Sequence, residues 1–300
     1  MTECEPPAGD GQNLPDRLPA TLTYERGTYR TPPGGSRRVW RSFPNLSFYG
    51  SFFRTIWRSS ARARRGTYGF DEWVESSVDS VRALERTGVV IDVAGLEHLQ
   101  NLDGPAVIIG NHMSALETVA LPAIIGSVRP VTFILKESLF RTPIFHHIVE
   151  KIDAIGVSRT NPRADLKTVL QDGGERLKRG KSVVVFPQTT RTPYLDPSQF
   201  SSIGVKLAQR AGVPVVPLAL MTSQAWAVGR WAKDVGAIDP SKPVRFSFGA
   251  PITVEGRGQD EHEQVMAFIG QELARWGAVD LDRPPASADG DATHPGSDQA

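Results

Sequence analysis

The residues of this chain whose types and spacing suggest chemistry begin with His112 and Glu117, in the stretch GNHMSALE from Gly110 to Glu117. A histidine beside a carboxylate makes a general base. The acid orients the ring and stabilises its protonated form, and the other nitrogen is left to take a proton near neutral pH. No protein nucleophile accompanies the pair, so the attacking hydroxyl would belong to a substrate. Five positions apart is about 140° around an ideal helix, so the two cannot face each other from within one helix. His112 must therefore precede the helix. Ser114 is a suitable N-cap, with Glu117 three residues later and able to reach back toward the imidazole. The same Ser-x-x-Glu pattern is also that of an ordinary capping box, in which His112 is a hydrogen-bonded loop residue.

Two further stretches carry polar groups at the ends of apolar runs. KSVVVFPQTTRT, Lys181 to Thr192, reads as a strand entering a turn that holds Pro187, Gln188, Thr189, Thr190 and Arg191. Backbone amides, hydroxyls and one guanidinium at a strand end make a seat for an oxyanion or a phosphate. In AIGVSRTNPRADLK a second basic residue, Arg159, follows a strand and is a candidate phosphate partner. Each arginine taken singly also fits a solvated loop. AGVPVVPLAL, Ala211 to Leu220, is a glycine turn into a buried strand with Pro214 and Pro217 in it, and suggests no ligand.

The elements that must position these residues follow from periodicity. Apolar runs predict strands at VVIDV (Val89), PAVIIG (Pro105), VTFIL (Val131), DAIGV (Asp153), KSVVVF (Lys181), VPVVPLAL (Val213) and VRFSF (Val244). Helical spacing recurs between them, in LETVALPAII, ADLKTVLQDGGERLKR, SSIGVKLAQRA and DEHEQVMAFIGQELARW. Strands apolar on both faces that alternate with helices imply an α/β domain, a mostly parallel central sheet flanked by helices. His112 then stands at a strand's carboxyl end, where such sheets place their sites.

Ahead of this lies an unusual segment. From Arg26 to Arg65 there are ten arginines and eight aromatics, and no Asp, Glu or Lys. On a helix, Tyr49, Phe52, Phe53, Ile56 and Trp57 form one stripe, with Arg54, Arg58, Arg62 and Arg65 on the opposite side. Such a helix suits a lipid headgroup region, with rings at the interface and arginines on anionic phosphates. The alternative is that the stripe packs on the catalytic domain and the arginines are solvated. A second helix is expected over DEWVESSVDSVRALERTG, with acids in its first turn and Gly88 as its stop. The expected organisation is a disordered leader over 1–23, this basic aromatic helical segment over 24–88, a catalytic domain over 89–280 and a disordered tail over 281–300.

Composition narrows the function classes. Net charge is +1, so no global field draws the chain to nucleic acid. The single cysteine, Cys4, excludes an intramolecular disulfide and a cysteine nucleophile in the core. The first residues lack a secretory signal, and the apolar stretches fall short of the roughly 20 residues a spanning helix needs. Peripheral attachment at the cytoplasmic side of a membrane is the expected location.

Taken in order from Val89 to Pro251, these blocks resemble the lysophospholipid acyltransferase family, which includes 1-acylglycerol-3-phosphate and glycerol-3-phosphate acyltransferases. IDVAGLEHL ahead of the first block and LKESLFRTPIF after it belong to the likeness. Asn111, His112 and Glu117 match the family's NH followed by four residues and an acid, with Glu where Asp is usual. Arg159 resembles the arginine that ends the second block. Phe186, Pro187, Thr190 and Arg191 match the third, FPEGTRS, while Gln188 and Thr189 replace Glu and Gly. The fourth block is a VPVVP strand.

The resemblance implies His112 as base and Glu117 as its partner. It implies substrate binding by Asn111, Ser114, Arg159, Pro187, Gln188, Thr189, Thr190 and Arg191, and backbone donors near the third block for the oxyanion. No metal or bound cofactor is required: acyl-CoA or acyl carrier protein is the co-substrate, a lysophospholipid the acceptor, and an anionic membrane surface the partner. The altered third block leaves a lyso-aminolipid or a glycolipid as an alternative acceptor. A non-catalytic lipid-binding protein of the same fold is the remaining alternative.

Overall fold

Runs of β-branched residues with no polar face become buried strands, and all seven expected ones form, with small shifts at their ends. The computed structural model describes residues 21–34, 42–142, 146–188, 190–227 and 235–277. Its strands are β1 (Tyr29–Arg30), β2 (Ile91–Ala94), β3 (Val107–Gly110), β4 (Val131–Lys136), β5 (Ile155–Val157), β6 (Ser182–Val185), β7 (Val215–Met221) and β8 (Val244–Phe248). The helices are α1 (Pro44–Arg64), α2 (Phe70–Arg86), α3 (Glu97–Gln100), α4 (Leu116–Ile125), α5 (His146–Lys151), α6 (Pro162–Lys178), α7 (Ile203–Ala211) and α8 (Gln259–Arg275).

The sheet order is β1-β2-β8-β7-β3-β6-β4-β5. The strands β7, β3, β6, β4 and β5 are mutually parallel, whereas β8 runs antiparallel to β7 and β1 antiparallel to β2. The result is a mostly parallel open sheet with helices on both faces. Ile108 of β3, Val184 of β6 and Leu218 of β7 face one layer, with α1, α2 and α4. Their neighbours Val107, Ile109, Val183 and Val185 face the other, with α6, α7 and α8. The period-two alternation of a strand thus gives each helix layer its own apolar surface. Close approach of α7 to β3 depends on Gly204, where an added Cβ would lie 2.7 Å from Ile109 Cδ1.

The segment before the catalytic core departs from expectation in three ways. Leu22, assigned to the leader by composition, is buried against the core, so ordered chain begins before residue 24. The helical segment expected from residue 24 includes a strand, because Tyr29–Arg30 pairs antiparallel with β2 and extends the sheet. The aromatic stripe of α1 is divided rather than single. Phe48, Phe52 and Ile56 are buried, and Phe52 packs edge-on against Trp226 at 5.6 Å. Phe53 and Trp57 instead remain 51% and 67% exposed, joined by Phe43 and Leu46 at 65% and 76%. One face of α1 therefore packs on the domain, and a second apolar strip adjoins the arginines. Arg62 pairs with Glu72 of α2 at 3.2 Å. No helix among the described residues is long and apolar enough to cross a membrane. The leader over 1–20 and the tail over 281–300 lie outside the described residues.

Candidate active site

Because β3, β5, β6 and β7 are parallel, the residues that follow each of them emerge at one edge of the sheet. Asn111 and His112 follow β3, Ser158 and Arg159 follow β5, Phe186 to Gln188 follow β6, and Thr222 follows β7. Four blocks distant in sequence meet there.

His112 lies ahead of α4, and its Nδ1 is 2.7 Å from Glu117 Oε2. The other carboxylate oxygen, Oε1, accepts from the Ser114 N–H at 2.8 Å, the Met113 N–H at 3.2 Å and the Thr222 hydroxyl. Ser114 Oγ accepts from the Leu116 N–H at 3.1 Å. Glu117 thus makes the acid half of a capping box to the Ser114 N–H, whereas Ser114 Oγ bonds two residues on, at Leu116, and the assigned helix starts with Ala115 at the cap. The carboxylate that receives the Ser114 N–H is therefore the same one that faces His112. Glu117 is fully buried, with both carboxylate oxygens hydrogen-bonded.

The tautomer of His112 follows from its neighbours. Arg191 Nε, which can only donate, lies 3.4 Å from His112 Nε2. The proton is therefore on Nδ1, directed to Glu117, and the lone pair is on Nε2, directed to Arg191. Phe186 stacks on the imidazole with ring centroids 4.6 Å apart and planes 12° from parallel, which fixes the ring plane.

The turn after β6 holds the histidine from its backbone. Gln188 Oε1 accepts the His112 N–H at 2.7 Å, Gln188 Nε2 donates to Thr192 Oγ1 at 2.7 Å, and the Thr192 N–H donates to the His112 carbonyl at 3.0 Å. The Asn111 amide mimics backbone. Its Nδ2 donates to the Leu220 carbonyl and its Oδ1 accepts the Leu220 N–H, both at 2.9 Å.

Asn111, Ser114, Pro187 and Gln188, expected at the substrate site, all lie at this end of the sheet. All four are buried, and the polar groups of Asn111, Ser114 and Gln188 are hydrogen-bonded inside the protein, where they hold the backbone around the pair. Thr190 is exposed and Arg191 half-buried. Thr189 lies outside the described residues.

Arg159 adopts a left-handed backbone, φ 61°, which costs a non-glycine residue about 1 kcal/mol. Asp165 holds the turn by accepting the Ser158 and Arg159 N–H groups, both at 2.8 Å. Partial desolvation, and then the nearby charge of Arg191, pull the Arg159 guanidinium below its ordinary pKa, with Asp165 opposing. Two cationic side chains thus lie near each other on the side where the base presents its lone pair. Sequence reasoning missed Thr192 and Thr222. Thr222 had one signal, as the first polar residue after the longest apolar strand.

A family model described as Acyltransferase matches residues 90–221. The 1-acyl-sn-glycerol-3-phosphate acyltransferase of Pseudomonas aeruginosa is 31% identical over 214 residues, covering 71% of this chain and 77% of that protein. The chloroplastic 1-acyl-sn-glycerol-3-phosphate acyltransferase of Arabidopsis thaliana is 34% identical over 131 residues, 44% of this chain and 36% of that one. The crystal structure of the 1-acyl-sn-glycerophosphate acyltransferase PlsC from Thermotoga maritima shares the fold. Its TM-score is 0.53 at 23% identity, over 80% of this chain and 93% of that chain. This chain belongs to the lysophospholipid acyltransferase family and is an O-acyltransferase of phospholipid biosynthesis.

Proposed function

We propose that the chain transfers a fatty-acyl group from acyl-CoA or acyl carrier protein to the free hydroxyl of 1-acylglycerol 3-phosphate. His112 Nε2 takes the hydroxyl proton and the oxygen attacks the thioester carbonyl, while Glu117 stabilises the imidazolium. Donors of the turn after β6 receive the oxyanion. The carbon–sulfur bond then breaks, and the thiolate leaves with the proton from His112. Arg191 moves off Nε2 to pair with the acceptor's phosphate together with Arg159, and the hydroxyl takes its place.

The observation that supports this reading is the juxtaposition of a Glu117-oriented imidazole lone pair with Arg191 at 3.4 Å. A base adjoining excess positive charge suits a hydroxyl carried by a phosphate ester. His112→Ala is expected to lower thiol release from acyl-CoA in the presence of acceptor by about 10² to 10⁴-fold. Full retention of transfer would remove His112 as the base. Gln188 and Thr189 in the third block favour a second acceptor class, a lyso-aminolipid or a glycolipid, and the same assay across a panel of lysolipids separates the two.

The membrane role belongs to the same proposal. Phe43, Leu46, Phe53 and Trp57 form an exposed apolar strip on α1 beside the exposed Arg54, Arg58 and Arg65. This strip lies in the headgroup layer of an anionic membrane, at its cytoplasmic side, where the acceptor is dissolved. Trp57→Ala is expected to weaken cosedimentation with phosphatidylglycerol vesicles roughly tenfold. Unchanged sedimentation would sink the docking role.

A further inference from the structure

Thr222 is buried at the carboxyl end of β7, one residue beyond the span matched by the family model, and its hydroxyl completes a one-way chain of donors. The Leu116 N–H can only donate, so Ser114 Oγ accepts it and must send its own proton onward. Ser114 Oγ donates to Thr222 Oγ1 at 2.9 Å. Thr222 Oγ1 in turn donates to Glu117 Oε1. Every hydroxyl proton in the relay is thereby directed, and the relay ends on the carboxylate that orients His112.

We propose that Thr222 is a positioning residue of the acyl-transfer reaction, holding Glu117 with Oε2 committed to His112. The proposal rests on the reading of His112 as the base. Two consequences follow from the chemistry. With Oε1 filled by two amides and a hydroxyl, the carboxylate cannot rotate to share its oxygens differently, so the imidazole keeps its plane and tautomer. When His112 becomes an imidazolium, a carboxylate weakened as a base by three donors leaves the proton on the ring, from which it is returned to the departing thiolate.

Thr222→Val keeps the shape and removes only the hydroxyl. It is expected to lower kcat about tenfold, the usual scale for one hydrogen bond to a charged group, with both KM values within about twofold of the parent. Without that donor Glu117 becomes more basic and stabilises the imidazolium more, so the acid limb of the kcat/KM profile moves to higher pH. Thr222→Ser restores the hydroxyl and is expected to recover kcat to within about threefold and return the limb to its place.

A purely structural role would not move the limb. An unmoved limb, or a Ser variant as impaired as the Val variant, overturns the proposal. Should the Val variant not fold, Ser114→Ala, which removes the donor to Thr222, is expected to shift the limb in the same direction by less, and no shift overturns it. Parent enzyme and His112→Ala run beside these. Equal activity of those two would reject the base assignment itself, a result distinct from failure at Thr222.

Discussion

Cations converge at both ends of the sheet, and the two clusters do different work. At the amino end, Asp153 receives Arg176 at 2.9 Å, Arg179 at 3.0 Å and Lys181 at 2.9 Å. Burial acts to raise the pKa of that carboxyl. The Lys181 hydrogen bond and the charges of Lys181, Arg176 and Arg179 outweigh it and hold the group below the ordinary carboxylate range. At the carboxyl end, Arg159 and Arg191 press on each other, with Asp165 a weaker counterweight occupied by backbone amides. Cations gathered around an acid contribute stability; cations gathered around one another repel, and under the proposed function the acceptor's phosphate relieves that repulsion.

That contrast is open to test. The largest effect is expected at the carboxyl end. Arg191→Ala should raise KM for a phosphate-headed acceptor about 10 to 100-fold while Tm moves by about 1 °C or less, and Arg159→Ala should do the same more mildly. A large fall in Tm with unchanged KM would reverse the assignment of the two ends.

At the amino end, Asp153→Asn tests charge alone, since asparagine also tolerates the left-handed backbone there, φ 57°. It should lower stability by about 1 kcal/mol, roughly 2 to 4 °C in Tm, with steady-state rates unchanged. The smallest effect is its pH dependence. A carboxyl whose folded pKa is depressed contributes stability that is fully present above the unfolded value of about 3.9 and is lost as pH falls through the folded value. The Tm gap between parent and Asp153→Asn should therefore be constant near neutrality and close below about pH 4. A gap that persists under acid would show that the carboxyl's charge is not its source.

Much of this was legible in residue order. His112 had to precede a helix because five positions cannot bring it to Glu117 within one, and the structure places it there. Arg159 and Arg191 were each ambiguous alone, since a loop arginine has no local signature of its partner. The α1 stripe was read as a single face and is two, because helical periodicity reports that a side is apolar but not how wide a neighbour covers it. Phe52 and Trp57 stand five positions apart, about 140° around the helix, so Phe52 meets Trp226 while Trp57 stays exposed.

Local periodicity and capping chemistry determined the seven core strands, the helices between them, the position of His112 before α4 and the family likeness, because each depends on residues within a few positions of one another. The tertiary structure alone decided that Asn111 ties to Leu220, that Gln188 holds the His112 backbone, that Tyr29–Arg30 extends the sheet and that Thr222 ends its proton relay on Glu117. Those contacts depend on strand order, β7 beside β3 beside β6. Hydrophobic patterning says that a strand is buried, and only the packing of the whole sheet says which strands are its neighbours.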